Sequence, residues 1–224
     1  MRLLVSIAIC LALAGDHLLA QATTNASGST AADPPLPLPN PAEDKAWSGS
    51  VSAYTYLLPD SPAYAQPTLA ADHGWLHLEA RYNYEALDTG STWVGYNFSG
   101  GEKLAWEFTP MLGGVFGATT GIAPGYKGSL SWWKLELYSE GEYVCDTGNS
   151  ADSYLYNWSE LTLAPLDWFR FGLVTQRTRT STSDRNIQRG VMVGFTYKMV
   201  GLSGYWFDPD AAKPTFVIAV ALTF

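Results

Sequence analysis

His73 and His77 are the imidazoles that a serine- or cysteine-type hydrolase would use as general base, once His17 in the N-terminal apolar run is set aside. Neither stands in a nucleophile motif, and G-x-S-x-G occurs nowhere in the chain. Asp208-Pro209-Asp210 places two carboxylates in a turn, too few for the roughly six oxygens of a calcium site. Cys145 has no metal-ligand partner at a familiar spacing. The residue types therefore point to no catalytic site, no metal and no cofactor. They form rows instead. His77, Glu79, Arg81, Asn83 and Glu85 recur at every second position, as do Glu136, Tyr138, Glu140 and Glu142, and Tyr154, Tyr156, Trp158 and Glu160. Such rows do the chemistry of a lining: they hold water, attract a counter-charge or pair with one another.

The elements that position these rows must have a period of two. In Trp75–Ala86, Leu76, Leu78, Ala80, Tyr82, Tyr84 and Ala86 share one face and the ionisable row takes the other. Successive strand side chains point to opposite faces, whereas a helix would scatter the charges around its circumference. Phe169, Phe171 and Leu173 alternate with Arg170, and Val191, Val193, Phe195 and Tyr197 alternate with Met192, Gly194 and Thr196. Turn signals such as Asp72-His73-Gly74, Leu87 to Gly90, Ser99 to Glu102, Pro165 to Asp167 and Val200-Gly201 punctuate the runs. The pattern predicts twelve strands near 47–58, 65–71, 75–86, 91–98, 103–116, 122–131, 134–146, 153–164, 168–179, 185–199, 202–209 and 215–224. It predicts no helix beyond the N-terminal leader.

That leader comprises basic Met1-Arg2, the apolar run Leu3 to Ala14 and Ala20-Gln21-Ala22, the layout of a cleaved signal peptide over residues 1–22. The run is shorter than the roughly 20 apolar residues of a membrane helix. Its removal takes one basic and one acidic charge and leaves the net charge at -8. Residues 23–46, with Pro34, Pro35, Pro37, Pro39 and Pro41, read as a Pro-rich flexible segment, and residues 47–224 as one β-domain. The whole chain has 47% apolar, 14% aromatic and only 15% charged residues. That composition excludes wholesale disorder. The acidic balance argues against nucleic acid as a partner, for want of a basic stripe. Two cysteines exclude a disulfide scaffold.

Alternation alone leaves open which face is inside. A soluble barrel turns its apolar face inward, and a membrane barrel turns it outward around a polar lumen. Charges lie at many depths of the polar face, and aromatics such as Tyr82, Tyr84, Trp106, Tyr197 and Phe224 stand near strand ends of the apolar face. The last strand alternates Phe216, Ile218, Val220 and Leu222 before Phe224. This ending resembles the C-terminal signature of bacterial outer-membrane β-barrels. The resemblance implies a transmembrane antiparallel up-and-down barrel, cleaved after export near Ala22. It also implies recognition by the barrel-assembly machinery through the strand ending at Phe224. A ten-residue strand tilted about 40° rises roughly 25 Å, the height of the apolar band of such a membrane. An even strand count puts both termini on the periplasmic side.

On this reading His77, Glu79, Arg81, Asn83, Glu107, Glu136, Tyr138, Glu140, Tyr156, Glu160 and Arg170 line the lumen. Carboxylates outnumber cations there, which favours cations or neutral solutes over anions. Arg177, Arg179, Arg185 and Arg189 have outward parity and flank the Thr180 to Asp184 loop, where guanidinium groups suit anionic lipid headgroups. The expected function is a porin-like channel for small hydrophilic solutes. The alternatives are a structural or adhesion barrel with a filled lumen and, third, an outer-membrane lipid-modifying enzyme.

Overall fold

The computed structural model describes residues 46–180 and 186–224. Thirteen strands follow one another: β1 (Ser48–Leu57), β2 (Tyr64–His73), β3 (Leu76–Tyr82), β4 (Thr89–Tyr96), β5 (Phe98–Gly100), β6 (Leu104–Gly117), β7 (Gly121–Trp132), β8 (Leu135–Asp146), β9 (Tyr154–Leu166), β10 (Phe169–Thr180), β11 (Asn186–Tyr197), β12 (Val200–Phe207) and β13 (Thr215–Thr223). A 3-10 turn, Ser150–Asp152, precedes β9. The short β5 continues β4 beyond Asn97, and both pair with β6, so the wall has twelve staves. Each stave pairs antiparallel with its sequence neighbour, and β1 pairs with β13 to close the ring. Every stave thus has two partners, which removes the open edge that lipid could not satisfy.

The faces are sorted opposite to those of a water-soluble barrel. Along β3, His77, Glu79 and Arg81 are buried inside, while Leu78 and Tyr82 stand exposed on the outer wall. Leu112 on β6, Leu173 on β10 and Ile218 on β13 are 53%, 59% and 46% exposed, far too much apolar surface for a wall facing water. Trp75, Trp132, Trp133, Trp168 and Tyr197 are exposed at the turns that lie at the same end as the start of β1 and the end of β13. These aromatics form the girdle expected at one lipid–water boundary.

The twelve predicted runs correspond to the twelve staves. The marked difference is in the third run. The alternation expected through Ala86 stops at Tyr82, because Asn83 adopts a left-handed conformation with φ 57. Its backbone N–H donates to Thr89 O at 2.8 Å, its amide donates to Ala65 O at 3.0 Å, and its Oδ1 accepts from Asp88 N–H at 2.8 Å. Asn tolerates this backbone region better than most residues. Asn83 is therefore a turn residue beside a small cavity at the barrel rim and not part of the strand lining expected for it. The turn also ends the alternation behind it, so that Tyr84 and Glu85 both point inside. Tyr84, expected on the outer wall, packs instead against the aromatic cluster inside.

Candidate functional site: the lumen

Alternation delivers inward side chains from every stave, and closure brings distant ones together. Arg81 on β3 is the centre of the mid-barrel tier. Its Nε donates to Glu79 Oε1 at 2.8 Å and its Nη1 donates to Glu142 Oε2 of β8 at 2.8 Å. Its guanidinium lies 4.2 Å from the Tyr84 ring centre and 4.6 Å from that of Trp93. Glu79 Oε2 accepts from Lys127 Nζ of β7 at 2.5 Å. His77 Nε2 is 3.1 Å from the same oxygen, and its Nδ1 is 2.8 Å from Asp72 Oδ1 of β2. Asn97 donates to Asp72 Oδ1 at 2.7 Å and accepts from the Thr109 hydroxyl at 2.7 Å. A continuous polar chain thus runs from Glu142 to Thr109 through seven side chains of five staves. Each charge has an opposite charge within reach, the condition for burying ions at all.

Three further carboxylates complete the tier. Glu140 accepts from Tyr138 at 2.6 Å and from the Tyr84 hydroxyl. Glu160 Oε1 accepts from Trp158 Nε1 at 2.9 Å and Tyr205 OH at 3.0 Å, with Arg170 3.9 Å from its other oxygen. Glu85 turns in behind Arg81, where Ser91 donates to it at 2.5 Å. Glu85 Oε2 and Glu142 Oε1 are buried without a hydrogen-bond partner.

Toward the loop end the lumen is filled by aromatic rings. Trp158 meets Tyr205 and Phe207 edge-on at 5.2 and 5.4 Å, and Tyr56 stacks on Tyr64 at 5.0 Å. A second cluster, Trp93, Met111, Val115, Ala123 and Val144, fills the opposite wall. Toward the end at which β1 starts and β13 finishes the lumen opens. A cavity of about 680 Å³ lies there, bounded among others by Ser48, Asp72, Asn97, Glu107, Thr109, Ser129, Ser131 and Glu136. A smaller one of about 170 Å³ lies at the loop end beside Asn83, Glu85, Gln176 and Thr178.

Of the residues expected to line the lumen, His77, Glu79, Arg81, Tyr138, Glu140, Tyr156, Glu160 and Arg170 meet in the polar and aromatic tiers, and Glu107 and Glu136 line the cavity. Asn83 does not join them. Asp72, Lys127, Trp93 and Tyr84 carry parts of the site that the sequence reading had not singled out. By sequence Asp72 opens the turn signal Asp72-His73-Gly74, whereas β2 runs on to His73, and the Gly-rich run around Lys127 has weak alternation. Among the described residues no cluster of three or more His, Cys, Asp and Glu has the geometry to hold a metal ion.

On the outer wall, Arg177 and Arg179 of β10 and Arg189 of β11 share the outward rows, and Arg185 lies outside the described residues. Beside them is an uncharged polar cluster. Asn157 Nδ2 donates to Glu140 O at 2.8 Å, Tyr126 OH at 3.1 Å and Ser139 Oγ at 3.2 Å. Ser159 Oγ lies 3.0 Å from Ser139 Oγ and donates to Asn157 Oδ1 at 3.2 Å.

No family model matches the chain, and no curated protein matches it. Solved structures do. The KdgM porin superposes with a TM-score of 0.55 at 10% identity, covering 78% of this chain and 99% of that one. The KdgM porin in complex with disordered oligogalacturonate gives 0.54 at 11% identity, with 78% and 99% covered. A loop L8 deletion mutant of OmpT, an outer membrane protein of Vibrio cholerae, gives 0.39 at 8% identity, with 80% and 98% covered. What this chain shares with the KdgM porin is its fold, a closed antiparallel up-and-down barrel of twelve staves.

Proposed function

We propose that the protein is a porin-like channel of the bacterial outer membrane for small hydrophilic solutes, neutral or cationic. The observation that carries this reading is a polar cavity of about 680 Å³ inside a barrel whose ionised rows face inward and whose apolar rows face out. Its walls carry Glu107, Glu136 and Asp72 against Lys127 and His77, and Glu79, Glu140, Glu142 and Glu160 stand in the tier beyond. A narrow low-dielectric channel with this excess of carboxylates raises the local concentration of cations and repels anions. The KdgM porin was solved with oligogalacturonate, a polyanion. The acidic lumen here does not favour that class of solute. Planar-bilayer recording tests the proposal: small cation-preferring unitary steps support it, and a silent, inserted barrel overturns it.

A second reading has its own observation. The Arg81, Glu79 and Glu142 side chains are each at most 3% exposed and, with the aromatic tier, they fill the section beyond the cavity. A barrel filled this way is a structural or adhesive element of the outer membrane, and silence in the same recording favours it.

The outward rows of β13, Phe216, Ile218, Val220 and Leu222, support recognition of the C-terminal strand by the assembly machinery. Phe224→Ala then lowers the yield of membrane-inserted barrel in cells without changing export. Export itself rests on the leader read over residues 1–22.

A further inference from the structure

The described strands place three charged side chains on the outer wall, Arg177, Arg179 and Arg189, and all are arginines near the loop end of adjacent strands. Among the described residues no carboxylate lies within ion-pair distance of their side chains; the Asp208 carboxylate accepts from the Arg189 backbone N–H instead. Arg177 Nε is buried and unpartnered. Guanidinium groups against hydrocarbon require a counter-charge.

The arginines head a polar seam fixed by strand register. One row of direct cross-strand partners runs Arg189, Thr175, Ser159, Ser139, Gly128. The adjacent row runs Arg177, Asn157, Gly141, Tyr126. Four inter-strand steps span roughly 19 Å. Arg189 is the fourth residue of β11 from its loop end and Gly128 the eighth of β7. After tilt that drop is about 10 Å. The seam therefore starts at the rim and descends into the level of the acyl chains, with Leu130, Leu137 and Leu161 below it. Gly128 and Gly141 lower the wall along it, and the Tyr126 ring lies over Gly141.

We propose that this seam is a binding site for phosphorylated lipopolysaccharide of the outer leaflet. Its phosphates pair with Arg177, Arg179 and Arg189, and its amide and ester linkages meet Asn157, Ser159, Ser139 and Tyr126. The charge complementarity selects an anionic headgroup. The width and depth of the seam select a broad, multiply acylated glycolipid over a two-chain phospholipid, whose linkages all sit close under its phosphate. The proposal rests on the outer-membrane placement and is independent of conduction.

The test uses the complete processed barrel, inserted in vesicles and then extracted in detergent. Retention of bisphosphorylated lipid A, its monophosphoryl form and phosphatidylglycerol is read by native mass spectrometry. Bisphosphorylated lipid A is expected to be retained on the order of tenfold better than phosphatidylglycerol. Arg177→Gln, Arg179→Gln and Arg189→Gln combined abolish that preference. Asn157→Leu with Ser159→Ala lowers lipid A retention severalfold and leaves phosphatidylglycerol unchanged. Equal retention of the two phosphorylation forms by the unaltered protein overturns the proposal, whatever the folding of the variants. So does equal retention of phosphatidylglycerol, or a dimer of the chain that excludes lipid A. Failure to enter vesicles removes the membrane reading itself, whereas insertion without lipid preference removes this site alone.

Discussion

Arg81 of β3 and Glu142 of β8 meet across the lumen at 2.8 Å, both buried, and that contact ties opposite walls of the barrel together. The two residues are 61 positions apart in sequence.

Removing one partner of such a pair leaves the others uncompensated. Arg81→Met is expected to cost about 3–5 kcal/mol, because Glu79, Glu142 and Glu85 lose their shared cation. Glu142→Gln is expected to cost about 1–2 kcal/mol, since Arg81 keeps Glu79. Urea unfolding in micelles, followed by the gel shift of folded barrel, measures both. A smaller loss for Arg81→Met than for Glu142→Gln contradicts the hub role.

The turn 83–88 is the part of the filling that does not come from a strand face. Tyr84 reaches Glu140 and lies against Tyr156 at 5.4 Å. Tyr84→Ala removes a ring from the narrow section, and single-channel conductance is expected to rise severalfold. Unchanged conductance would place the constriction elsewhere.

Charge selectivity has a separate handle. Glu107 and Glu136 line the open cavity and make no ion pair among the described residues. Glu107→Gln with Glu136→Gln should shift the reversal potential in a salt gradient toward the non-selective value and leave stability within about 0.5 kcal/mol.

The turn that ends the third run depends on Asn83. Asn83→Val places a β-branched side chain at φ 57 and is expected to cost about 1–3 kcal/mol. Asn83→Gly keeps the backbone and loses the side-chain bonds to Ala65 and Asp88, a cost of about 1–2 kcal/mol. Both variants lose the side-chain bonds and only Val adds backbone strain, so equilibrium unfolding should rank Val below Gly; the reverse order would show that the left-handed backbone at position 83 carries no such strain.

Gly113 faces the Trp93 ring so closely that an added Cβ would stand 2.5 Å from it. Gly113→Ala must push Trp93 off its hydrogen bond to Ser91, 2.9 Å in the native wall, at a cost of about 1–3 kcal/mol. A red-shifted tryptophan emission reports the displacement.

The staves, their two faces and the acidic excess of the lumen were legible in the residue order alone. Alternation is a local property of extended backbone, so Leu76, Leu78 and Ala80 could be separated from His77, Glu79 and Arg81 without knowing any partner. The break of the strand at Asn83 was not legible, because Tyr84 and Ala86 extend the pattern although the chain has already turned. Nor was the meeting of Arg81 with Glu142 and of Glu79 with Lys127. Those contacts depend on strand number, register and closure, which set the residues that share a height across the lumen. The same holds outside, where Arg177 and Arg189 were visible as outward residues but only the register aligned them with Asn157, Ser159 and Tyr126 into one seam. Periodicity determined which way each side chain points; closure of the sheet decided what it touches.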